Sequence, residues 1–254
     1  TGQTVISAIG EAQVSVLLDR LESRANVGAH TVPLRIPYRE TIRRTATGHG
    51  RHKKQTGGAG QFADVRMRIE PNPDGGYEFL DEVVGGAVPR GFIPAVDKGA
   101  QETMREGVLA GYPMIDVKVA LYDGQFHPVD SNEMAFRTAA RLGFQDAVEQ
   151  AEPVLLEPMA HMEVTVPESY AGSVMGDISA CRGRVEGMDT TDKGDVRIQA
   201  TAPYAEVVDY ATRLRSLSRG TGEYSIEVEG YEQVPHDVQE RLAAEYRERR
   251  SQGR

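Results

Sequence analysis

The sequence has a single cysteine and no long hydrophobic run, and each scarcity excludes a class of protein. One cysteine, Cys181, cannot form a disulfide framework or a zinc site built on several cysteines. No stretch approaches the ~18 consecutive apolar residues of a membrane-spanning helix, and no basic-then-apolar signal peptide is visible. Because 39% of the residues are hydrophobic, ordinary buried cores are feasible. We therefore expect a cytoplasmic protein.

Several catalytic signatures are also missing. The phosphate-binding motif G-x-x-x-x-G-K-[ST], the metalloprotease motif H-E-x-x-H and the nucleophile motif G-x-S-x-G do not occur. The glycine run at 57–60 lacks the Lys and Ser/Thr that hold phosphate and magnesium. The histidines are scattered, and the many carboxylates follow no pattern that indicates an acid–base pair. The sequence thus predicts no catalytic residue and no metal site in this chain.

The charge is unevenly distributed along the sequence. Residues 1–38 have a net charge of zero and residues 39–54 have six Lys/Arg against one Glu, or +5; a total of −9 leaves −14 for residues 55–254. Such a basic block in an acidic protein predicts a contact with phosphates. A solvated flank without a partner is the alternative. The cations and histidine proposed for this contact are Arg43, Arg44, Arg51, His52, Lys53 and Lys54.

Hydrophobic periodicity divides the chain into units. Residues 1–37 are predicted to form strand 4–9, helix 11–25 and strand 31–36, too little for an independent core. A second unit begins at Tyr38, with strand 41–47, loop 48–61, strand 62–69, return strand 77–84, helix 92–107, strand 114–121, loop 122–129 and helix 131–151. Asp130 and Glu133 suggest a capping box for the last helix.

A third unit follows a proline-containing linker at 152–158. Its predicted order is strand 159–166, helix 170–182, strand 184–190, strand 195–202, helix 204–219 and strand 223–230. The order β–α–β–β–α–β is typical of a ferredoxin-like split βαβ fold. A charged helix is expected at 236–250. The fold class predicted is therefore α+β.

Two loops carry the strongest indication of a binding site. The first, residues 48–61, is basic and rich in glycine, and the second covers residues 124–130. Glycines let backbone N–H groups approach phosphates, and side chains such as Gln61 and His127 can hydrogen-bond sugar hydroxyls or base edges. A flexible hairpin loop is the alternative for the glycine run. No aromatic residues interleave with the cations, so stacking on single-stranded bases is not favoured.

Longer motifs resemble the C-terminal portion of elongation factor G, a translational GTPase. They are YRETI (38–42), KQTGGAGQF (54–62), GFIPAVDKG (91–99), LAGYP (109–113), HPVDSNEMAF (127–136), PVLLEP (153–158), YATRLRSLSRG (210–220) and TGQTVISAIGE (1–11). The resemblance implies the second half of domain III at 1–37, domain IV at 38–153, domain V at 154–235 and a C-terminal helix and tail at 236–254. It covers essentially the whole chain.

The resemblance also implies a function. Domain IV would have a ribosomal-protein S5-like βαβ with a left-handed crossover, and domain V would be ferredoxin-like. Domain IV would enter the decoding site of the small ribosomal subunit and promote movement of tRNA and mRNA, while domain V would lie near the stalk base and the sarcin–ricin loop. GTP and magnesium would bind an N-terminal domain outside this chain. The residues implied to contact RNA are Gly57, Gly58, Gly60, Gln61, Gln125 and His127.

The sequence departs from the family pattern at the first loop. Ala59 replaces the usual Arg, and Phe62-Ala63-Asp64 replaces the usual Tyr-Gly-His, which should weaken attraction to RNA. The pattern is more similar to an elongation factor G-like paralogue, so ribosome recycling or ribosome protection remain alternatives. A free-standing RNA-binding module and a small-molecule enzyme on two α+β domains are further alternatives.

Overall fold

The computed structural model describes residues 2–6, 11–55 and 60–252. The chain forms two compact units. The four-stranded unit comprises Tyr38–Leu156 with Gln233–Arg254, and the ferredoxin-like unit comprises Thr1–Pro37 with Glu157–Glu232. Within the described residues, no helix is both long and apolar enough to cross a membrane.

The four-stranded unit is built on a mixed sheet. Strands β2 (Ala46–Lys54), β3 (Gln61–Pro71), β4 (Glu78–Asp81) and β5 (Val117–Gln125) have the spatial order β2-β3-β5-β4. Alternating β3 residues are buried because helices α2 (Ile93–Glu106) and α3 (Glu133–Gln150) contribute to the same core. The fully buried members of this core include Val65, Met67, Ile69, Val96, Val119, Leu121, Phe136, Phe144 and Val148.

The loop predicted at 48–61 is wrong for residues 48–54, which lie in β2 and pair antiparallel with β3. Glycine has a packing role here. A Cβ on Gly48 would lie 2.1 Å from the carbonyl oxygen of Gly143, and a Cβ on Gly50 would lie 1.9 Å from that of Ala139. Only glycine lets β2 approach the backbone of α3 so closely.

Three further boundaries differ from the sequence prediction. The return strand expected at 77–84 is the shorter β4, which pairs parallel with β5 after the crossover through α2. Strand β5 continues through Gly124 and Gln125, which were expected in a loop. The N-cap of α3 is Asn132, whose Oδ1 accepts a hydrogen bond from Ala135 N at 2.8 Å, so Asp130 does not form the predicted capping box.

A buried carboxylate organises the loop that follows α2. Glu40 lies on β1 (Arg39–Ile42) and is fully buried. Its carboxylate accepts four backbone N–H groups, from Val108 (2.7 Å), Leu109 (2.9 Å), Ala110 (2.8 Å) and Tyr112 (3.0 Å). These hydrogen bonds fix residues 107–112 against β1.

The C-terminal helix completes the four-stranded unit. Helix α7 (His236–Ser251) follows Val234, whose N–H donates to Leu155 O at 3.0 Å, and Gln239 Oε1 accepts from Leu155 N at 3.0 Å. The ring of Tyr246 lies so close to Gly111 that a Cβ there would come within 2.5 Å of it. The helix is therefore fixed both by its first turns and by Tyr246.

The ferredoxin-like unit follows the predicted element order. Strand β6 (Pro153–Pro167) replaces the expected linker at 152–158, because residues 153–156 pair with β1 within the four-stranded unit. The next elements are α4 (Glu168–Ala180), β7 (Arg184–Thr190), β8 (Asp195–Pro203), α5 (Tyr204–Val207), α6 (Tyr210–Leu217) and β9 (Glu223–Gln233). Strand β6 lies between β8 and β9, and β7 pairs with β8. This arrangement confirms the α+β class.

The N-terminal piece is only partly as predicted. Helix α1 (Glu11–Ala25) forms where expected, but residues 4–6 and 31–36 are not strands. The side chain of Gln3 links them instead, since its Nε2 donates to Pro33 O at 3.0 Å and its Oε1 accepts from Arg35 N at 2.8 Å. A β-like sequence needs a neighbouring backbone to form a ladder, and residues 4–6 and 31–36 pair with no strand among the described residues. Residues 7–9 of the first predicted strand lie outside the described residues.

Candidate RNA-contact site

The start of β3 lies beside the segment that follows β5, and we call residues 60–62 and 125–131 together the paired turns. Phe62 N donates to Asp130 O at 2.9 Å, and the hydroxyl of Ser131 donates to Phe62 O at 2.7 Å. The rings of Phe62 and His127 are in edge contact, with centroids 6.4 Å apart. The start of β3, just after the first predicted loop, is therefore hydrogen-bonded to the second predicted loop and to Ser131 beside it.

Gln61, the first residue of β3, is half-buried, and its amide is held by a residue of the neighbouring strand β2. The carbonyl Oε1 accepts a hydrogen bond from His52 Nε2 at 2.8 Å. Gly60, beside it, lies close to the second turn, because a Cβ there would come within 2.6 Å of the Asp130 carboxylate and require that side chain to move. Gly57 and Gly58, predicted to contact RNA, lie outside the described residues.

His127 projects from the second turn with 51% of its side chain exposed. Its Nδ1 accepts from Asp130 N at 3.1 Å and from Val129 N at 3.3 Å, and its backbone N–H donates to the Ser131 hydroxyl at 2.8 Å. Asp130 Oδ2 is 3.4 Å from the same Nδ1. The contact between Asp130 and His127 is an ion pair only when Nδ1 carries a proton. The two backbone N–H groups that donate to Nδ1 instead favour the tautomer that is protonated at Nε2.

The predicted basic flank is divided between the two ends of β2. Arg51, His52, Lys53 and Lys54 occupy the end of the strand that pairs with residues 61–64. Arg43 and Arg44 precede the other end, where their backbone N–H groups bind Ala151 O just beyond α3. The nine residues of β2 span ~27 Å at about 3.4 Å per residue, so only the first group adjoins the paired turns.

Two models of known protein families match most of this chain. The family model for elongation factor G, domain IV, matches residues 34–152, and the model for the elongation factor G C-terminus matches residues 154–242. An elongation factor G-like protein of Thermotoga maritima is 47% identical over 248 residues, which are 97% of this chain and 36% of that relative. The chain belongs to the elongation factor G family.

A solved structure agrees with this assignment. A crystal structure of a Thermus thermophilus protein matches 94% of this chain with a TM-score of 0.80 and 37% identity, and the match covers 36% of that protein. The chain thus carries domain IV and the C-terminal domain of a translation factor and spans about a third of the length of these relatives.

Asp64, expected from the sequence to be a departure from the elongation factor G pattern, faces a histidine and an arginine of β2. Its side chain is only 6% exposed, and His49 Nε2 lies 2.9 Å from both carboxylate oxygens. Arg51 Nε is 3.9 Å from Oδ2, and the Arg51 guanidinium lies 5.5 Å from the Phe62 ring centroid. Sequence alone identified the substitution but not its partners. Lys53 and Lys54 remain the exposed cations nearest to Gln61 along the strand.

Arg182 in the C-terminal domain is an internal ion-pair partner. Its guanidinium binds both oxygens of buried Glu157 at 2.7 and 2.9 Å and reaches Glu206 at 3.1 Å. These carboxylates raise the pKa of Arg182 above its ordinary value. In the part of the chain that the structure describes, no group of three His, Cys, Asp or Glu side chains is placed to hold a metal ion.

Proposed function

We propose that the paired turns are the RNA-contact surface of an elongation factor G-like translation factor. Domain IV enters the decoding site of the small ribosomal subunit, contacts the tRNA–mRNA duplex through Gln61 and His127, and promotes translocation. The C-terminal domain lies towards the stalk base and the sarcin–ricin loop of the large subunit.

The observation that carries this proposal is the joining of the two turns through Phe62, Asp130 and Ser131. It brings an amide and an imidazole to one end of a sheet, next to the exposed ammonium groups of Lys53 and Lys54. Polar tips flanked by cations are suited to RNA, since phosphate contacts supply affinity and fix position, and hydroxyl or base-edge contacts distinguish the RNA groups. Burial of Gln61 or His127 in a core, or their separation to opposite ends of the sheet, would have argued against this role.

The energy for translocation comes from outside this chain in our proposal. The 254 residues contain no phosphate-binding loop motif, so GTP and magnesium bind in another domain of the whole protein. The role of domain IV is then mechanical: it occupies the space beside tRNA and mRNA and prevents their return.

A second candidate function is favoured by Asp64. Because this carboxylate faces His49 and Arg51, the paired turns attract RNA less strongly than a turn with unpaired cations. A paralogue that splits ribosomes after termination or protects them needs entry into the same site without repeated movement of tRNA. Assays of translocation and of GTP turnover, repeated with post-termination ribosomes, distinguish this role from translocation.

The test uses Gln61→Ala combined with His127→Ala in the full-length protein. We expect single-round translocation to slow by roughly tenfold or more, since two hydrogen-bonding tips are lost at about 0.5–1.5 kcal/mol each. Ribosome-dependent GTP turnover, measured separately, should change by less than about twofold, because the nucleotide site is elsewhere.

The matched control is Gln233→Ala combined with His236→Ala. Both residues are exposed, and they flank Val234, which binds Leu155 just beyond the far end of α3. The 18 residues of α3 place that end ~27 Å from the paired turns. Unchanged translocation in the Gln61/His127 variant, or equal slowing in the control, would show that the assigned contact is wrong.

A further inference from the structure

The sheet of the ferredoxin-like unit has one face covered by helices and one face that is open. Alternate residues of β6 and β8, such as Val164 and Ile198, are buried in the same core as residues of α4 and α6. The residues between them point the other way, and His161, Glu163 and Gln199 are exposed there. We call this second side of the sheet the open face.

Two neighbouring grooves on the open face are lined mainly by carboxylates. The first has a volume of about 590 Å³, and its carboxylates are Glu163, Glu186 and Glu227. The second has a volume of about 550 Å³, and its carboxylates are Glu163, Asp189, Asp192, Asp195 and Glu223. Because Glu163 borders both grooves, they form one continuous acidic surface.

Few cations offset this charge. Among the described residues that line the grooves, Lys193 and Arg197 are the cations against seven carboxylates, which gives a formal net charge of −5. Arg197 Nε is 3.6 Å from Glu163 Oε1, and its Nη1 is 3.9 Å from Asp189 Oδ2. Arg184 on the neighbouring strand adds no net charge, since it pairs with Glu232 at 2.6 Å.

A buried threonine holds two groups of the first groove in place. Thr201 is only 3% exposed, and its hydroxyl donates to Glu186 Oε1 at 2.5 Å. His161 Nδ1 lies 3.1 Å from the same hydroxyl oxygen. Since the single hydroxyl proton is used for Glu186, the oxygen accepts from Nδ1–H, and Nε2 of the neutral ring remains an acceptor. The groove therefore presents fixed acceptor atoms.

We propose that the open face docks a Lys/Arg-rich protein segment of the ribosome. Ammonium and guanidinium groups are donors of opposite charge, so they complement a surface of carboxylates. The inference rests on the proposed function and deepens it, because it specifies the kind of ribosomal component that this face of the C-terminal domain meets.

The same surface is unsuited to RNA. Its carboxylates repel phosphates, and αβ sheets that bind single-stranded RNA stack the bases on aromatic side chains. No aromatic side chain occurs among the described residues that line the two grooves.

The extent of the open face favours a protein segment over a single cation. The first groove takes residues from β9, β6, β8 and β7, four adjacent strands that span ~14 Å at about 4.8 Å per spacing. In the part of the chain that the structure describes, no three of these side chains are placed to hold a metal ion. Several cations arranged along one chain segment match a surface of this width.

Charge reversal in the full-length protein tests the docking. Glu163→Lys combined with Glu227→Lys changes the net charge of the open face by +4. Glu149→Lys combined with Glu240→Lys is the matched control, since it makes the same change at exposed positions on α3 and α7. Both variants are titrated against ribosomes at one salt concentration with a non-hydrolysable GTP analogue, and thermal melting verifies their fold.

We expect the open-face variant to raise the Kd for ribosomes by about tenfold or more relative to the control, because like charges then face each other. Contact of this face with RNA would have the opposite effect, since added cations strengthen phosphate binding. If the reversed variant does not fold, Glu163→Gln combined with Glu227→Gln replaces it, with an expected rise of about threefold.

Photo-crosslinking identifies the partner. Gln199, which lies opposite Glu163 on the sheet, is replaced by p-benzoylphenylalanine in the full-length protein. On purified ribosomes the crosslink should form with a protein, at a segment rich in Lys and Arg.

A Kd equal to or below that of the control, a crosslink to ribosomal RNA, or no crosslink overturns the inference, while the proposed function stands as long as the wild-type protein binds ribosomes. If the wild-type protein does not bind ribosomes, the proposed function itself fails.

Discussion

Replacing Glu40 by glutamine should destabilise the four-stranded unit far more than an isosteric change usually does. The carboxylate accepts four backbone N–H groups from residues 108–112 and is fully buried. A glutamine retains one oxygen for two of these donors and turns an –NH₂ towards the other two. Two buried donors without acceptors cost ~1–3 kcal/mol each, or about 2–6 kcal/mol together. That is a large share of the ~5–15 kcal/mol that stabilises a typical domain.

The assay combines urea unfolding with amide hydrogen exchange of the full-length protein. Glu40→Gln should lower the unfolding midpoint and accelerate exchange at the amides of residues 108–112. Glu70→Gln is the matched control, because Glu70 is about a third exposed and pairs with Arg68, a contact worth at most about 1 kcal/mol. Unchanged exchange at residues 108–112, or equal midpoints for the two variants, would refute the reasoning.

Three other predictions concern packing, the paired turns and pH. Gly50→Ala should cost about 3 kcal/mol by overpacking against α3, while Gly91→Ala, which has open space, should be tolerated in the same urea titration. Ser131→Ala should accelerate amide exchange at the second turn and slow translocation, and Ser131→Thr should restore both. Arg137 lowers the pKa of Glu102 below its ordinary 4.5, so their pairing stabilises fully above that pH and is lost as the pH falls through the lowered value. Glu102→Gln should therefore lose less stability than wild type on acidification.

Elements with a clear hydrophobic period were predictable from the sequence. The alternation of Val65, Met67 and Ile69 with arginines gave β3, and the order of elements after residue 153 gave the ferredoxin-like unit. Family motifs predict Gln61 and His127 as RNA contacts, and the structure places both in the paired turns, but the contact with RNA stays a prediction. The sequence features that predict these elements and residues are either local in the chain or part of a long ordered motif.

Strand β2 could not be predicted, because its determinants lie elsewhere in the chain. Gly48 and Gly50 are locally typical of a loop, and only the contact with Gly143 and Ala139, about ninety residues later, explains them as strand residues. Likewise, the strands expected at 4–9 and 31–36 have suitable residues, but residues 4–6 and 31–36 pair with no strand in the part of the chain that the structure describes. Pairing partners distant in sequence decide both cases.

The detailed chemistry of the candidate site was also beyond the sequence. Nothing in the local pattern indicates that His52 binds Gln61, that Ser131 bridges the two turns, or that Asp64 faces His49. These contacts depend on strand register, and a shift by one residue would reverse every side chain.

The attachment of α7 by Tyr246 and Gln239 has a consequence for the order of events during synthesis. Residues 157–232 are translated between the body of the four-stranded unit and the helix that completes it. A nascent chain that ends at residue 156 lacks the covering of Gly111 and the hydrogen-bond partners of Leu155. The four-stranded unit is therefore completed last, when α7 packs onto it, after the ferredoxin-like unit has already emerged from the exit tunnel.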